Sequence, residues 1–372
     1  MVRRIVQKYP KLIASTIGIL LSVFMILMME GICLILIKKN SKPPFVEEWH
    51  EITPCSGDTE RINRLEKALG SRFPRPGVKG INVRRFQDGT IQKIIETHDL
   101  VGRRLVPGQE TPSKKDKFIL FFGCSFTYGV GVNDDETMPY YVSRLLPDYK
   151  IYNYGYGGDG PHNMLAWLQM PKFADDVKEL EGICVYNFLY CHIARAIGDM
   201  YTYNGWAKTD PYYCLDRNGN LVRNGNFQEG RHIISLLYEL LGKSYILKYF
   251  NFNIPRNVTK QDALLTCQII KKARDQFEKL FKSQGFWVIM YPHQNGQFTP
   301  LIIDHLQKAG IKCYDYTDLI KNDLNKYAVH PKFDSHPNKF VHELVAEKFI
   351  RDFRNIFPVR RVDSCQAQVN LP

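Results

Sequence analysis

The sequence lacks the spacings that mark a metal or redox protein. Its nine cysteines, at positions 33, 55, 124, 184, 191, 214, 267, 313 and 365, form no C-x-x-C pair, which argues against a zinc ribbon or a thioredoxin-like motif. There is no complete G-x-x-x-x-G-K-[ST] phosphate loop, no zinc-finger, RNP-like or helix-turn-helix pattern, and no internal repeat. Acidic residues are short in supply: 38 Asp and Glu stand against 50 Lys and Arg, for a formal net charge of +12. That excess favours nucleic acid, anionic lipid or acidic polysaccharide as partners. The basic residues are scattered rather than gathered on one helix face or tail, so nucleic acid is the weakest of the three and none is expected. Cys124, Cys184 and Cys313 lie in or beside apolar runs, where a free thiol acts as a small hydrophobe. Cys55, Cys214 and Cys365 lie in polar, loop-like sequence, and an odd total cannot pair completely; no disulfide is assigned.

Long apolar runs are also scarce, with one exception. Leu12 to Ile37 is interrupted by a single charge, Glu30. About 20 apolar residues span a bilayer as a helix, and no small-x-small cleavage site follows; the run ends in Lys38-Lys39-Asn40 and Pro43-Pro44. An uncleaved single-pass anchor is the expectation, rather than a removed signal peptide. Arg3, Arg4, Lys8 and Lys11 precede the run, and Lys38, Lys39 and Lys42 follow it. That balance favours a cytoplasmic N-terminus and an extracytoplasmic catalytic domain. Two readings of Glu30 stay open: it pairs with another helix or lies near the interface, or it marks where the helix leaves the hydrocarbon.

The remaining composition is that of a globular chain, 44% hydrophobic and 24% charged, so a packed core is expected. Four segments follow: 1–39 as tail and anchor, 40–116 as a proline-rich connector with a small accessory element, 117–358 as the main domain, and 359–372 as a tail. Within the connector, RRFQDGTIQKI carries an Asp-Gly between strand-like runs, a hairpin signal. The main domain alternates apolar runs with amphipathic stretches. Strands are expected at 118–123, 150–155, 183–190, 286–292 and 311–316. Helices are expected at Met138–Leu146, Pro161–Leu168, Lys260–Ser283, Pro300–Lys308 and Pro337–Phe353. The alternation predicts an α/β fold, a three-layer α/β/α sandwich. Residues 193–258 are too long for a simple crossover and predict a helical insertion.

Three elements carry chemistry. Gly123-Cys124-Ser125-Phe126 closes the first of these strands, where an open α/β sheet presents ligand-binding groups. Ser125 is a candidate nucleophile there; the competing reading is a helix cap. Asp334-Ser335-His336-Pro337-Asn338 opens the last helix. A serine nucleophile needs a base, and the base an orienting carboxylate, so Asp334 and His336 can serve from one loop. The competing reading again is capping, with His336 at the Ncap position and Pro337 first in the helix. His330 and His342 are nearby decoys. Between these lies Asn153-Tyr154-Gly155-Tyr156-Gly157-Gly158-Asp159-Gly160, whose glycines expose backbone N–H groups suited to an oxyanion. Its letters also fit G-x-G-x-x-G, yet no acidic residue closes the next strand as a dinucleotide site requires. Tyr291 to Asn295 follows the fourth strand and is a candidate pocket lining.

In this order, the three elements resemble the SGNH (GDSL-type) hydrolase superfamily over about residues 117–353. The resemblance matches Ser125 to the nucleophile, Gly158 to the glycine oxyanion donor, and Asp334 and His336 to the activating pair. It implies a flavodoxin-like parallel sheet of about five strands, and ester hydrolysis or transfer with no metal or cofactor. Cys124 stands where the family usually has Asp. No Asn-Asp follows the third strand; His192 stands there, and its imidazole N–H is able to donate to an oxyanion, the alternative being a structural histidine at a strand end. Three functions follow from the resemblance: an esterase or deacylase on an acylated glycan or lipid at the cell envelope, an acyltransferase of the same fold modifying a polysaccharide, or an inactive carbohydrate-binding member.

Overall fold

The computed structural model describes residues 9–40, 42–56, 58–71, 73, 75–109, 115–292, 296–320 and 326–357. The tail expected at 359–372 and the candidate lining residues 293–295 lie outside the described residues.

The apolar run forms one helix, α1 (Pro10–Asn40), whose most apolar window has mean hydropathy 2.6. At about 1.5 Å per residue its length is roughly 46 Å, against a bilayer hydrocarbon core of about 30 Å. It is long and apolar enough to cross a membrane. The chain then builds an antiparallel meander in the order β1 (Phe45–Thr53), β2 (Lys79–Phe86), β3 (Ile91–Thr97), with α2 (Thr59–Leu69) between the first two strands. The Asp88-Gly89 turn closes the β2–β3 hairpin, with Gly89 at φ 88°, where glycine carries no Cβ penalty. Strand β1 was not legible: FVEEWHEIT is charged and exposed along almost its whole length.

The main sheet starts with β4 (Lys117–Gly123), whose residues alternate between two cores. Phe118, Leu120 and Phe122 face one helix layer, and Ile119 and Phe121 face the other. Being buried on both faces is what makes FILFFG a continuous apolar run. The short helix α3 (Ser125–Tyr128) follows directly, and then α4 (Met138–Leu145), β5 (Tyr149–Gly155) and α5 (Pro161–Leu168). Next come β6 (Glu181–Phe188) and α6 (His192–Ile197). The insertion contributes the hairpin β7 (Pro211–Leu215) and β8 (Leu221–Asn226), then α7 (His232–Leu241) and α8 (Tyr245–Tyr249). Helix α9 (Lys260–Leu280), β9 (Lys282–Met290), α10 (Thr299–Lys308) and β10 (Lys312–Asp315) complete the main sheet. A small ladder of β11 (Ala328–His330) and β12 (Asp334–Pro337) leads into α11 (Lys339–Ile356).

The five main strands are all parallel in the order β10-β9-β6-β4-β5. Counted along the chain this is 2-1-3-4-5, the flavodoxin-like order. Helices α5 and α9 cover one face; α4 and α11 cover the other. The expected three-layer sandwich is therefore the fold. The order reverses between β4 and β6, the crevice where such sheets bind ligands, and Ser125 stands at the end of β4. The insertion was expected to be helical; it holds α7 and α8 but also the β7–β8 hairpin, whose five-residue connection Asp216–Asn220 is a plain turn.

Of the two readings of Glu30, the structure shows pairing with another helix. Its carboxylate accepts from Ser244 Oγ at 2.5 Å and from the Tyr245 N–H at 2.6 Å, at the start of α8. A carboxylate at a helix N-terminus satisfies donors that have no intrahelical partner.

Candidate active site

The Ser125 turn is fixed by close approach. A Cβ on Gly155, paired with Gly123 across β4 and β5, would lie 2.4 Å from the Tyr128 backbone nitrogen. A Cβ on Gly123 would lie 2.1 Å from Thr127 Oγ1. Two glycines thus let α3 sit directly on the sheet edge. Buried Asn153 holds it from below, donating to the Thr127 carbonyl at 3.1 Å and accepting from the Gly155 N–H at 3.0 Å. Asn187 on β6 donates to Thr127 Oγ1 at 2.9 Å. Ser125 is the first residue of α3, and the capping position belongs to Cys124, which makes no side-chain cap bond. Helix capping is therefore not what Ser125 does.

Asp334 and His336 lie on β12, and α3 packs against that strand. His336 Nδ1 is 2.6 Å from Asp334 Oδ1, which also accepts the His336 backbone N–H at 3.0 Å. A carboxylate only accepts, so Nδ1 carries a proton, and in the neutral ring Nε2 is left as the basic nitrogen, the tautomer a general base needs. The other carboxylate oxygen accepts from Arg84 of β2 at 2.9 Å. Burial pushes the Asp334 carboxyl up, but the His336 hydrogen bonds and the Arg84 charge outweigh it and hold it below its ordinary value. The Phe126 ring lies 5.5 Å from the His336 ring, which brings the residue after Ser125 against that imidazole. No hydrogen bond joins the Ser125 hydroxyl to His336 among the described residues; such bonds tighten on substrate binding.

The capping alternative for His336 is replaced by a different residue. Asn338 caps α11, accepting from the Phe340 N–H at 3.1 Å, so His336 is free of that duty. The decoys are placed elsewhere. His330 bonds Asp88 at 3.0 Å and stacks on Phe86, while His342 is buried and accepts from the Met138 N–H at 3.1 Å.

Gly158 adopts φ 82° in the turn after β5, and Trp206 Nε1 donates to its carbonyl at 3.3 Å. A Cβ there would meet that indole at 2.7 Å. His192 is fully enclosed against Tyr186 and Phe188. Its Nδ1 accepts from the Leu189 N–H at 3.3 Å and faces the Tyr186 hydroxyl at 2.7 Å, and burial pushes the ring well below its ordinary value, so it is neutral.

Three arginines escaped the sequence reading. Arg84 shares a face of β2 with buried Phe86 two residues on, a period-two signal that would have turned it inward. Arg104 donates to the Tyr128 and Gly129 carbonyls at 3.3 and 2.7 Å. Arg195 lies against Cys124 and donates to the Asp159 carbonyl at 2.9 Å, bridging the Ser125 turn and the glycine turn. Beside these groups a cleft of about 330 Å³ opens between the meander and the sheet edge, lined by Glu47, Asn82, Arg84, Glu96, Tyr128 and Tyr156.

The chain is similar in structure to GDSL-type lipolytic proteins and carbohydrate esterases. A member of the lipolytic G-D-S-L family from Veillonella parvula is 12% identical, with 64% of this chain and 98% of that chain covered and a TM-score of 0.37. An acetyl xylan esterase from the rumen bacterium Butyrivibrio proteoclasticus is 12% identical over 76% of this chain and 69% of its own, with a TM-score of 0.39. A family two carbohydrate esterase from Clostridium thermocellum, in complex with cellohexaose, is 10% identical over 78% and 84%, with a TM-score of 0.41. No family model and no curated protein matches the chain. Likeness at this level carries no argument about chemistry, which rests on the site itself.

Proposed function

We propose that the chain is a serine-dependent ester hydrolase acting on an acylated carbohydrate or lipid at a membrane surface, with α1 as its anchor and the catalytic domain outside the cytoplasm. The observation that carries this reading is the Asp334–His336 pair, 2.6 Å apart, on a strand against which the Ser125 helix α3 packs. In the proposed reaction Ser125 Oγ attacks the ester carbonyl while His336 Nε2 takes its proton. Asp334, kept ionised by Arg84, stabilises the imidazolium. The Ser125 and Gly158 N–H groups receive the oxyanion, each such donor being worth roughly 10²–10³ in rate. The imidazolium then protonates the departing alcohol, and water resolves the acyl-enzyme. A sugar hydroxyl in place of water would make the same site an acyltransferase.

We assign His192 a supporting place, because a ring with no exposure and its Nδ1 committed to the Leu189 turn holds that turn in position. The cleft beside Arg84 is the proposed binding site for the rest of the substrate; the Tyr128 and Tyr156 rings and the Glu47 and Glu96 carboxylates suit a hydroxyl-rich sugar.

The test is covalent labelling of the detergent-solubilised full chain with a fluorophosphonate. The wild type is expected to label at Ser125 and to release acetate from acetylated oligosaccharides. Ser125→Ala should lose both activities, and His336→Ala should lose most of each. Undiminished labelling of Ser125→Ala would sink the assignment.

A further inference from the structure

We infer that the insertion helix α7, with the chain following α8, is a second membrane-contacting surface that lies in the lipid interface beside α1. The inference rests on reading α1 as a membrane-spanning helix. Helix α7 buries Ser235 and Tyr238 against the protein, with Ser235 Oγ donating to the Phe227 carbonyl at 2.7 Å. Its opposite face carries Ile233, Leu236, Leu237 and Leu240, which are 83%, 61%, 47% and 65% exposed. Their spacing, three to four residues apart, makes one apolar stripe. Phe250 and Phe252, just past α8, add two more large apolar side chains at 64% and 46% exposure. A stripe of large apolar side chains facing water marks an interaction surface.

The position of this stripe names the partner. Glu30 is bonded to Ser244 and Tyr245, so the segment linking α7 to α8 is tied to α1 at that residue. Beyond Glu30, α1 continues as Gly31-Ile32-Cys33-Leu34-Ile35-Leu36-Ile37 before the first lysine. At about 1.5 Å per residue this is roughly 10 Å of apolar helix past the tie, the depth to which an interfacial helix buries its apolar face. The insertion is therefore held at the lipid boundary. Lys243 and Lys248 are exposed next to the stripe, and Lys38 and Lys39 end α1, placing cations where anionic headgroups lie. The tie also accounts for an acidic residue inside an apolar helix: its carboxylate is used at the start of α8.

The full chain reconstituted at one copy per lipid nanodisc, with a phospholipid carrying a diazirine on its upper acyl carbons, tests this directly. After irradiation and trypsin digestion, the peptide from His232 to Lys243 is expected to carry lipid adducts alongside peptides of α1. In a Leu236→Gln, Leu240→Gln variant, which leaves this tryptic peptide whole, the adducts on it should fall at least several-fold while those on α1 persist. Adducts on α1 with none on 232–243 would overturn the inference and leave the anchor standing. Absence of adducts from α1 would overturn the anchor, and the inference with it. Unchanged adducts on the doubly substituted peptide would also overturn it, since labelling would then not depend on the apolar stripe.

Discussion

Arg84 sets how firmly the His336 imidazole is oriented, because its guanidinium holds the one Asp334 oxygen that His336 does not use. Its side chain is almost fully enclosed and is shared with Glu47 at 2.7 Å. A hydrogen bond between charged groups contributes about 1.5–3 kcal/mol, which corresponds to roughly 10- to 100-fold in rate at about 1.4 kcal/mol per decade. Arg84→Met should therefore lower kcat by that factor, with Arg84→Lys recovering part of it. The pH–rate profile separates orientation from general damage. Without the guanidinium the Asp334 carboxyl rises toward its ordinary value, so the acid-side loss of activity should begin at higher pH. A profile that drops uniformly without moving would show that Arg84 matters only for folding.

At the scale of elements, the Ser125 turn depends on glycines at two strand ends. Alanine at 155 would put a Cβ 2.8 Å from Thr127 Cβ as well as against the Tyr128 nitrogen, so α3 must move. A displacement near 1 Å at a reacting group costs about 10²-fold. Gly155→Ala should lose activity on that order with its circular dichroism intact, while Gly157→Ala, whose Cβ meets nothing within 4 Å, should stay near wild type. Equal activity in the two variants would refute the packing argument. These elements were the legible part of the sequence. The runs FILFFG and KIYNYG give β4 and β5 to within a residue, because double-sided burial makes both runs predominantly apolar. The helix expected from Pro337 starts at Lys339, since the Asp334–Pro337 stretch pairs with β11 and Asn338 supplies the cap. What stayed illegible is held by charge: β1 is a ribbon of Glu, His and Trp with no apolar alternation, and Arg84, Arg104 and Arg195 gain their places only through partners far away in sequence.

At the scale of the molecule, the meander is part of the site rather than a passive connector. Arg104 uses its whole guanidinium: on Asp134 at 2.9 Å, on the Gly129 and Val132 carbonyls at 2.7 Å each, and on the Ile95 carbonyl of β3 at 3.2 Å. Breaking such a buried pair costs about 3–5 kcal/mol, a large share of a total stability of about 5–15 kcal/mol. The meander and the site loops therefore stand or fall together. The same crowding of charge around buried groups makes stability depend on pH through His342, which joins α11 to α4. Burial, with Arg104 and His336 close by, pushes its imidazole down to about 3. The unfolded chain binds that proton near pH 6.5, so the stability His342 confers is fully present above that value. It declines as the pH falls from there toward about 3, by up to about 1.4 kcal/mol per unit. Thermal melts between pH 8 and pH 4.5 should show the midpoint falling below pH 6.5. His342→Asn should be less stable at pH 8 but should fall less steeply, since it has no proton to take up. Parallel curves for the two proteins would show that other groups govern the acid sensitivity.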